Sequence, residues 1–531
     1  MRQVNVQPLV SSSTPAPDDC HEHLEGQDQI TSGCIDEECR HTTRPTITSM
    51  SGSIASEGKR SGYDIRTVEL AQQPPSGSDT GSHGEAVVHY RSYRRRFLGL
   101  VSLMLLAATS GMVWPWFGPI SNNVSSEFGF TLDQINWFGN TVNFVYLPVS
   151  VLVPVLFSRY GIRFTCYLGA VFMLMSAWVR YAGTAHNVST NGAYALIMAG
   201  QILGGFAQPI FQILGPKYSE VWFNIRERTT ATMIMSLANP VGGAIAQILS
   251  PVFSSTRTSI LYLGVISTVA TPFVFLIGEK PPTPPTYAAA QSQSSFMSLA
   301  RAMMGTEPTS SPAYMTPHER LDFAIVAFEF GLLVGVVNAF SVLTSQFFEP
   351  YGYSDDTSGF LGAALLLVGL VAAIVTAPLF DRVLTHHLAL TAKILCPIVA
   401  ASWLSMIWAV RPHNVGALYA LMAIIGGSSL TLLPVALELA AELTRNADGS
   451  SAVMWFFGNF FGIVYVLVNG ALRGSETANP PLNMHRALIF QGAFICGSVV
   501  LVVFLKGRQA RREMDEMKAK EGEILGHAVG S

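Results

Sequence analysis

Apolar residues in this chain come in long runs separated by short polar breaks, and the runs share one length. Crossing the hydrocarbon core of a bilayer takes about 20 consecutive apolar residues in a helix. Six such runs fall near 97–121, 134–157, 162–183, 192–214, 228–253 and 258–278. A Pro- and Ser-rich stretch at about 279–319 follows, and then six more runs near 321–346, 358–380, 388–410, 414–440, 450–472 and 486–506. The pattern predicts an all-α membrane protein of about twelve transmembrane helices in two six-helix repeats. It divides the chain into a disordered N-terminal tail (1–95), an N-terminal bundle (96–278), a central loop (279–319), a C-terminal bundle (320–506) and a C-terminal tail (507–531). Paired repeats of this kind hold a substrate near the bilayer midplane between them.

Composition sharpens that picture. Hydrophobic residues make up 49% of the chain and charged residues 13%, about half the charged share of a soluble domain. The mean hydropathy of +0.36 understates the signal, because the polar first ninety or so residues dilute it. A net charge of −3 and a pI near 6.5 give no basic field for nucleic acid. Of six cysteines, Cys20, Cys34 and Cys39 lie in the polar tail, and Cys166, Cys396 and Cys496 lie inside apolar runs, so no disulfide framework is indicated. The tail groups Cys20, His21, His23, Cys34, Cys39 and His41 lack zinc-finger spacing and sit among Ser, Thr, Pro and Gly. No apolar stretch of the signal-peptide kind follows the extreme N-terminus, so the first span is expected to direct insertion. No metal and no cofactor are implied, and the expected partners are a small-molecule substrate and the lipid bilayer, with the protein a monomer.

Charge asymmetry orients the spans. Arg91, Arg94, Arg95 and Arg96 precede the first run, and Arg159, Arg163, Lys217, Arg226, Arg228, Lys280, Arg301, Arg320 and Arg382 lie in later loops on the same side. The loops at 122–133 and 347–357 contain no Lys or Arg. Both termini are therefore expected in the cytoplasm. The sequons at Asn123 and Asn187 fall in loops assigned to the outside, which makes Asn187 the better glycosylation candidate and Asn123 the second. A plasma membrane suits this better than a vacuolar or lysosomal one.

The candidate chemistry is that of binding and not of bond-making. The chain has no P-loop, no His-Glu-x-x-His helix and no Gly-x-Ser-x-Gly elbow, so an enzyme is not expected. Polar groups at membrane depth are costly and mark functional candidates. Trp114-Pro115-Trp116 breaks the first run, and its indoles suit either a cavity, where a cation could lie on the ring face, or an aromatic belt at the interface. Gln201 and Gln208 lie seven residues apart on one helix face, as substrate contacts or as interhelical glue. Glu438 and Glu442 share a face four residues apart and could gate or couple, although Glu442, at the cytoplasmic edge, reads better as the structural partner of Arg382 or Arg445. Glu329 and Lys393 are further ionisable groups at depth, and Lys393 can snorkel. Glycine and proline clusters at 200–209 and 239–243 allow close packing and lend themselves to flexible, cavity-lining segments. With so few acidic groups inside the spans, transport is expected to depend weakly on a pH gradient, Glu329 and Glu438 being the two plausible proton carriers.

Several segments carry a family resemblance. Tyr93-Arg94-Arg95-Arg96, Trp114 to Asn122, Gly200-Gln201 through Ala207-Gln208, and Val221-Trp222-Phe223 resemble the feline leukaemia virus subgroup C receptor-related family of the major facilitator superfamily. So do Pro434-Val435 with Glu438-Leu439-Ala440 and Glu442, and Phe461-Gly462-Ile463. The resemblance spans roughly residues 91–506. It implies the major facilitator fold and a facilitative carrier for small organic solutes, with choline, ethanolamine and pyridoxine transport and haem export attached to various members. The family's cavity tryptophan and glutamine match Trp114 and Gln208. Its eleventh-span glutamine matches Asn459 and its cavity tyrosine matches Asn338, the second departure exchanging a π face for an amide and favouring a polar neutral substrate. Ser158 stands where the superfamily motif usually has aspartate, while Asp381-Arg382 is kept, so motif salt bridging between the halves is expected to be asymmetric. The resulting expectation is a secondary transporter of a choline-like or vitamin-like solute by alternating access. The alternatives are an exporter of a small metabolite and a membrane receptor or sensor that transports nothing.

Overall fold

The computed structural model describes residues 93–283, 296–311, 313–379 and 388–507. Among the described residues fourteen α-helices follow one another: α1 (Arg95–Gly111), α2 (Ser121–Phe128), α3 (Leu132–Ala182), α4 (Thr190–Trp222), α5 (Ile225–Leu249), α6 (Thr256–Ala270) and α7 (Phe296–Met304), then α8 (Pro317–Val342), α9 (Thr344–Phe348), α10 (Asp355–Leu379), α11 (Leu388–Ala409), α12 (Val415–Thr444), α13 (Ala447–Ala471) and α14 (His485–Val499). Short 3-10 turns extend α5, α6 and α14. Ten of the described helices are long and apolar enough to cross a membrane. One of these, α3, has 51 residues and breaks at Gly161 (φ 84°, ψ 170°), so it accounts for two crossings. Helix α1 has 17 residues and is continued by the irregular stretch Met112–Ile120. The twelve apolar runs therefore each find a crossing segment, in an all-α multi-pass integral membrane protein.

Local signals set the helix ends. Thr131 with Gln134 and Thr316 with Glu319 form capping boxes, and Ser189, Asn224, Ser255 and Asn446 accept from backbone N–H groups of the first turn. Gly161 is required where it stands, because its positive φ lets the chain turn sharply between two crossings. The segment 158–163 is thus a break within α3 and not a separate loop. The Glu279 carboxylate accepts from the N–H groups of Ile162 (2.8 Å) and Arg163 (2.7 Å), filling the donor-rich start of the third crossing.

Helices of the first set pack as α3 on α4, α1 on α5 and α3 on α6, and those of the second as α8 on α13, α10 on α12 and α11 on α12 and α14. Gly242 lets α5 approach so near the Ala108 carbonyl of α1 that a Cβ would overlap it. The two sets meet along α5–α10 and α3–α13. Large apolar residues such as Phe144, Leu152, Val171, Ile374 and Val503 stay exposed, a face that lipid and not water covers.

The two ends of the bundle differ. On the end that carries both described termini, Arg96 pairs with Glu227 (2.6 Å), Arg445 with Glu319 (2.8 Å), and Asp322 accepts from the N–H groups of Lys506 and Gly507. On the opposite end, contacts join the first set to the second: Ser121 with Ser345 (2.5 Å), Asn123 to Asp355 (2.6 Å), Gln247 to the Ser341 carbonyl (2.8 Å) and Arg473 to Asp133 (2.6 Å). The bundle is closed at that opposite face.

Candidate functional site

A cavity lies between the two sets, with about 1050 Å³ of empty space when the solvent at its opening is included. Trp114, Gln208, Gln212 and Asn239 line it from the first set, and Asn338, Asn459 and Glu329 from the second. It continues towards the terminal end, where Leu505 borders it, next to the Lys506 N–H that bonds Asp322.

The sequence explains how each side chain is delivered. Trp114 stands where α1 has ended and the chain runs through turns around Pro115, so its backbone is free of helical register. Gln208 precedes Pro209, which lacks the N–H that the Gly205 carbonyl would otherwise receive. Asn239 likewise precedes Pro240 within α5. Asn338 and Asn459 project from α8 and α13, which meet at Gly335 and Gly462.

These groups are polar and under-used. Gln208 Oε1, Gln212 Oε1, Asn239 Nδ2, Asn459 Oδ1 and Glu329 Oε1 are buried without a hydrogen-bond partner, whereas Asn459 Nδ2 is held by the Trp455 carbonyl at 2.8 Å. Leaving such an atom unpaired costs about 1–3 kcal/mol, which a polar solute recovers on binding. Trp114, Leu366, Leu333 and Phe330 supply apolar wall between the amides. The arrangement suits a small molecule with a few polar groups and an apolar or cationic flank.

Of the candidates read from sequence, Trp114, Gln208, Asn338 and Asn459 share this one cavity. Gln201 does not line it. Its amide is consumed by structure, Oε1 accepting from Arg180 Nη1 (3.2 Å) and Nε2 donating to the Phe138 (3.0 Å) and Val113 (3.4 Å) carbonyls. Trp116 is neither belt nor cavity: it is fully buried and donates from Nε1 to Ser259 Oγ at 3.1 Å. Glu438 is half-buried off the cavity wall and Glu442 is buried, while Arg445 bonds Glu319 and the Tyr314 carbonyl. Asp381 and Arg382 lie outside the described residues. Asn187 is exposed between α3 and α4, and the exposed Asn123 donates its amide to Asp355. Lys393 is exposed on α11.

Sequence reasoning missed Gln212 and Arg180, and held Asn239 only as part of the 239–243 cluster. Gln212 stands four residues after Gln208, on the same helix face, and was legible by that spacing. Arg180 is a base 1% exposed inside an apolar run, the kind of residue that membrane depth alone should have flagged. Asn239 shows no periodic signal, only the Asn-Pro pair.

Residues 100–467 match the family described as Major Facilitator Superfamily. The chain is 26% identical over 471 residues to solute carrier family 49 member A3 of Xenopus tropicalis, covering 84% of this chain and 94% of that one. It is 25% identical over 423 residues to the choline/ethanolamine transporter FLVCR1 of Felis catus, covering 75% and 71%. Against the choline/ethanolamine transporter FLVCR2 of Homo sapiens the identity is 22% over 452 residues, with 81% of each chain covered.

Proposed function

The chain belongs to the major facilitator superfamily, and from that membership we propose that it is a carrier of a small organic solute of choline-like or vitamin-like chemistry, working by alternating access. A secondary transporter of a small solute is what its relatives make it. The finer reading rests on one observation: Trp114 and Gln208 from one set of helices and Asn338 and Asn459 from the other border a single cavity. A site shared between two bodies is remade each time they rock, so binding and reorientation are coupled.

In this reading the segments 96–278 and 320–506 move as two bundles. The contacts of the opposite face break when the cavity turns outward, and the Lys217–Asp448 pair (3.6 Å) that joins the sets at the terminal end takes its turn when the cavity turns back. The termini lie in the cytoplasm, the membrane is the plasma membrane, and the protein acts as a monomer. Trp114 holds an apolar or cationic face of the solute, and the amides fix its polar groups.

The test is uptake of labelled choline, ethanolamine and pyridoxine into liposomes holding the purified full chain, beside Trp114→Ala. Saturable uptake of at least one, weakened by Trp114→Ala, is the expected result. Uptake of none of the three sinks the choline-like or vitamin-like assignment.

A further inference from the structure

Glu329 lies on α8, nine residues before Asn338, which puts it about 13 Å closer to the terminal end along the helix. It is 5% exposed and borders the cavity, and among the described residues it is the one charged side chain in the wall. Among the described residues its neighbours offer no countercharge. Of the elements against α8, α13 brings Tyr465, and α14 with its 3-10 turn brings Ser498 and Val502. Helix α12 carries Glu438 and Glu442, neither of them in the cavity wall, and α3 places no charged side chain there. Helix α11 contributes Cys396 to the wall, while its Lys393 is exposed on the outside.

Hydrogen positions follow from counting. Ser498 Oγ lies 2.9 Å from the Ile495 carbonyl and 3.3 Å from Glu329 Oε2. A hydroxyl has one proton, and the nearer carbonyl takes it. The hydroxyl proton that is left to share with Oε2 at 3.3 Å holds a carboxylate weakly, whereas a carboxyl that carries its own proton can donate to Ser498 Oγ in full. An ionised carboxylate here would have no cation beside it and an Oε1 with no donor, a costly arrangement at membrane depth.

We propose that Glu329 is a proton-carrying site on the transport path, loaded in the conformation closed at the opposite face, and that it exchanges one proton per transport cycle. On discharge, the carboxyl O–H bond breaks, its electron pair stays on Oε2 and the proton passes to water in the open cavity. On reloading, a proton from water on the other side restores the acid. This reverses the expectation of weak dependence on a pH gradient, and it rests on the transport reading above for its cycle.

Glu329→Gln separates the parts, because the amide keeps the shape of the protonated acid and can donate to Ser498; matching thermal unfolding of the two proteins checks the fold. Infrared spectra of the full chain in detergent across a pH series should show a neutral-carboxyl C=O stretch near neutral pH that is weaker in E329Q by the Glu329 component, the component from Glu349 remaining in both proteins. In liposomes, a pH gradient of one unit should drive up to about tenfold accumulation of labelled choline by the parent protein. E329Q should still show downhill uptake but no accumulation. A neutral-carboxyl band identical in both proteins overturns the proposal, and so does parent uptake indifferent to the gradient. If the parent moves no choline, the transport reading has failed separately, and the infrared comparison still decides whether Glu329 holds the proton.

Discussion

Arg473 of the segment after α13 donates from Nη2 to Asp133 Oδ1 at 2.6 Å, tying the second set of helices to the start of α3 in the first. Its other arm reaches Gln346 Oε1 at 2.9 Å, and Gln346 in turn donates to Asn136 at 2.6 Å. Asp133 is 67% exposed at its side chain, so the ion pair alone contributes under about 1 kcal/mol. The part-buried bond to Gln346 adds to it. Arg473→Ala should therefore favour opening of this face by about 1 kcal/mol, or about fivefold. A cysteine placed by Ser341→Cys reads this out, since that side chain is 1% exposed and its hydroxyl has no partner to lose. Its labelling by an impermeant maleimide should quicken about fivefold in the Arg473→Ala background. Equal rates would remove Arg473 from the closure.

The two tryptophans of the first span should fail in different ways. Trp114→Ala should raise the apparent substrate constant by about 2- to 30-fold, the value of a cation–π contact of about 0.5–2 kcal/mol, on top of the stability lost by truncating a side chain that is 4% exposed. Trp116→Ala should instead lower stability by about 3–5 kcal/mol, because it empties a fully buried site and removes the donor to Ser259 Oγ, which keeps its bond to the Ser250 carbonyl. Unfolding midpoints beside uptake kinetics distinguish the two. A destabilised Trp114→Ala with an intact substrate constant would contradict the cavity assignment.

Gln201→Ala should act as a structural mutation. It removes the Oε1 that faces Arg180 Nη1 and leaves that guanidinium, whose Nη2 already lacks a partner, with the Ser176 carbonyl as its remaining bond. The expected loss is about 1–3 kcal/mol of stability, and the double variant Gln201→Ala with Arg180→Met should recover part of it. Thermal unfolding of the four proteins of this cycle gives the coupling. A stable Gln201→Ala that loses only substrate affinity would return Gln201 to the binding site.

The fold was legible because each crossing must be apolar for about 20 residues, and that demand writes itself into sequence at every span. Even the Gly161 break was visible as a polar interruption at 158–163, though its form inside one long helix was not. The cavity was legible where a resemblance pointed, at Trp114, Gln208, Asn338 and Asn459. It was obscure where a polar side chain in a span could equally bind substrate or a neighbouring helix. Gln201 and Gln208 share a face and a chemistry, and what separates them is Arg180, one helix away in space and 21 residues away in the chain. Closure at the opposite face was hidden for the same reason, since Asp133 and Arg473 are 340 residues apart.

pH should bear on that face through Glu349. Burial first, and then the Asp355 carboxylate beside it, hold the Glu349 carboxyl well above the usual carboxylate range. A carboxyl whose folded value is raised contributes fully below its unfolded value of about 4.3 and loses that contribution as pH rises through the folded value. Raising the pH should therefore charge Glu349 against Asp355 and loosen the Asp355–Asn123 bond. Hydrogen exchange of residues 349–356 should quicken at alkaline pH beyond the intrinsic rise in exchange. Glu349→Gln should flatten that excess, and an excess unaffected by the substitution would assign it elsewhere.

The amides at 338 and 459 decide what the cavity prefers. Asn338 is half-buried on α8, and its Cβ lies 3.5 Å from where a Cβ of Gly462 would stand, so α13 leaves space beside it. A tyrosine there would add a second π face to the wall that already holds Trp114, and would remove an amide that both donates and accepts. Asn338→Tyr should therefore strengthen choline binding by about 0.5–2 kcal/mol, or about 2- to 30-fold, and weaken or leave unchanged the binding of neutral pyridoxine. Competition of the two against uptake of a common labelled solute measures the ratio directly. If pyridoxine gains as much as choline, the tyrosine is acting as apolar wall alone. The cavity would then owe its selectivity to the amides of Gln208, Gln212 and Asn459 and not to cation–π contact.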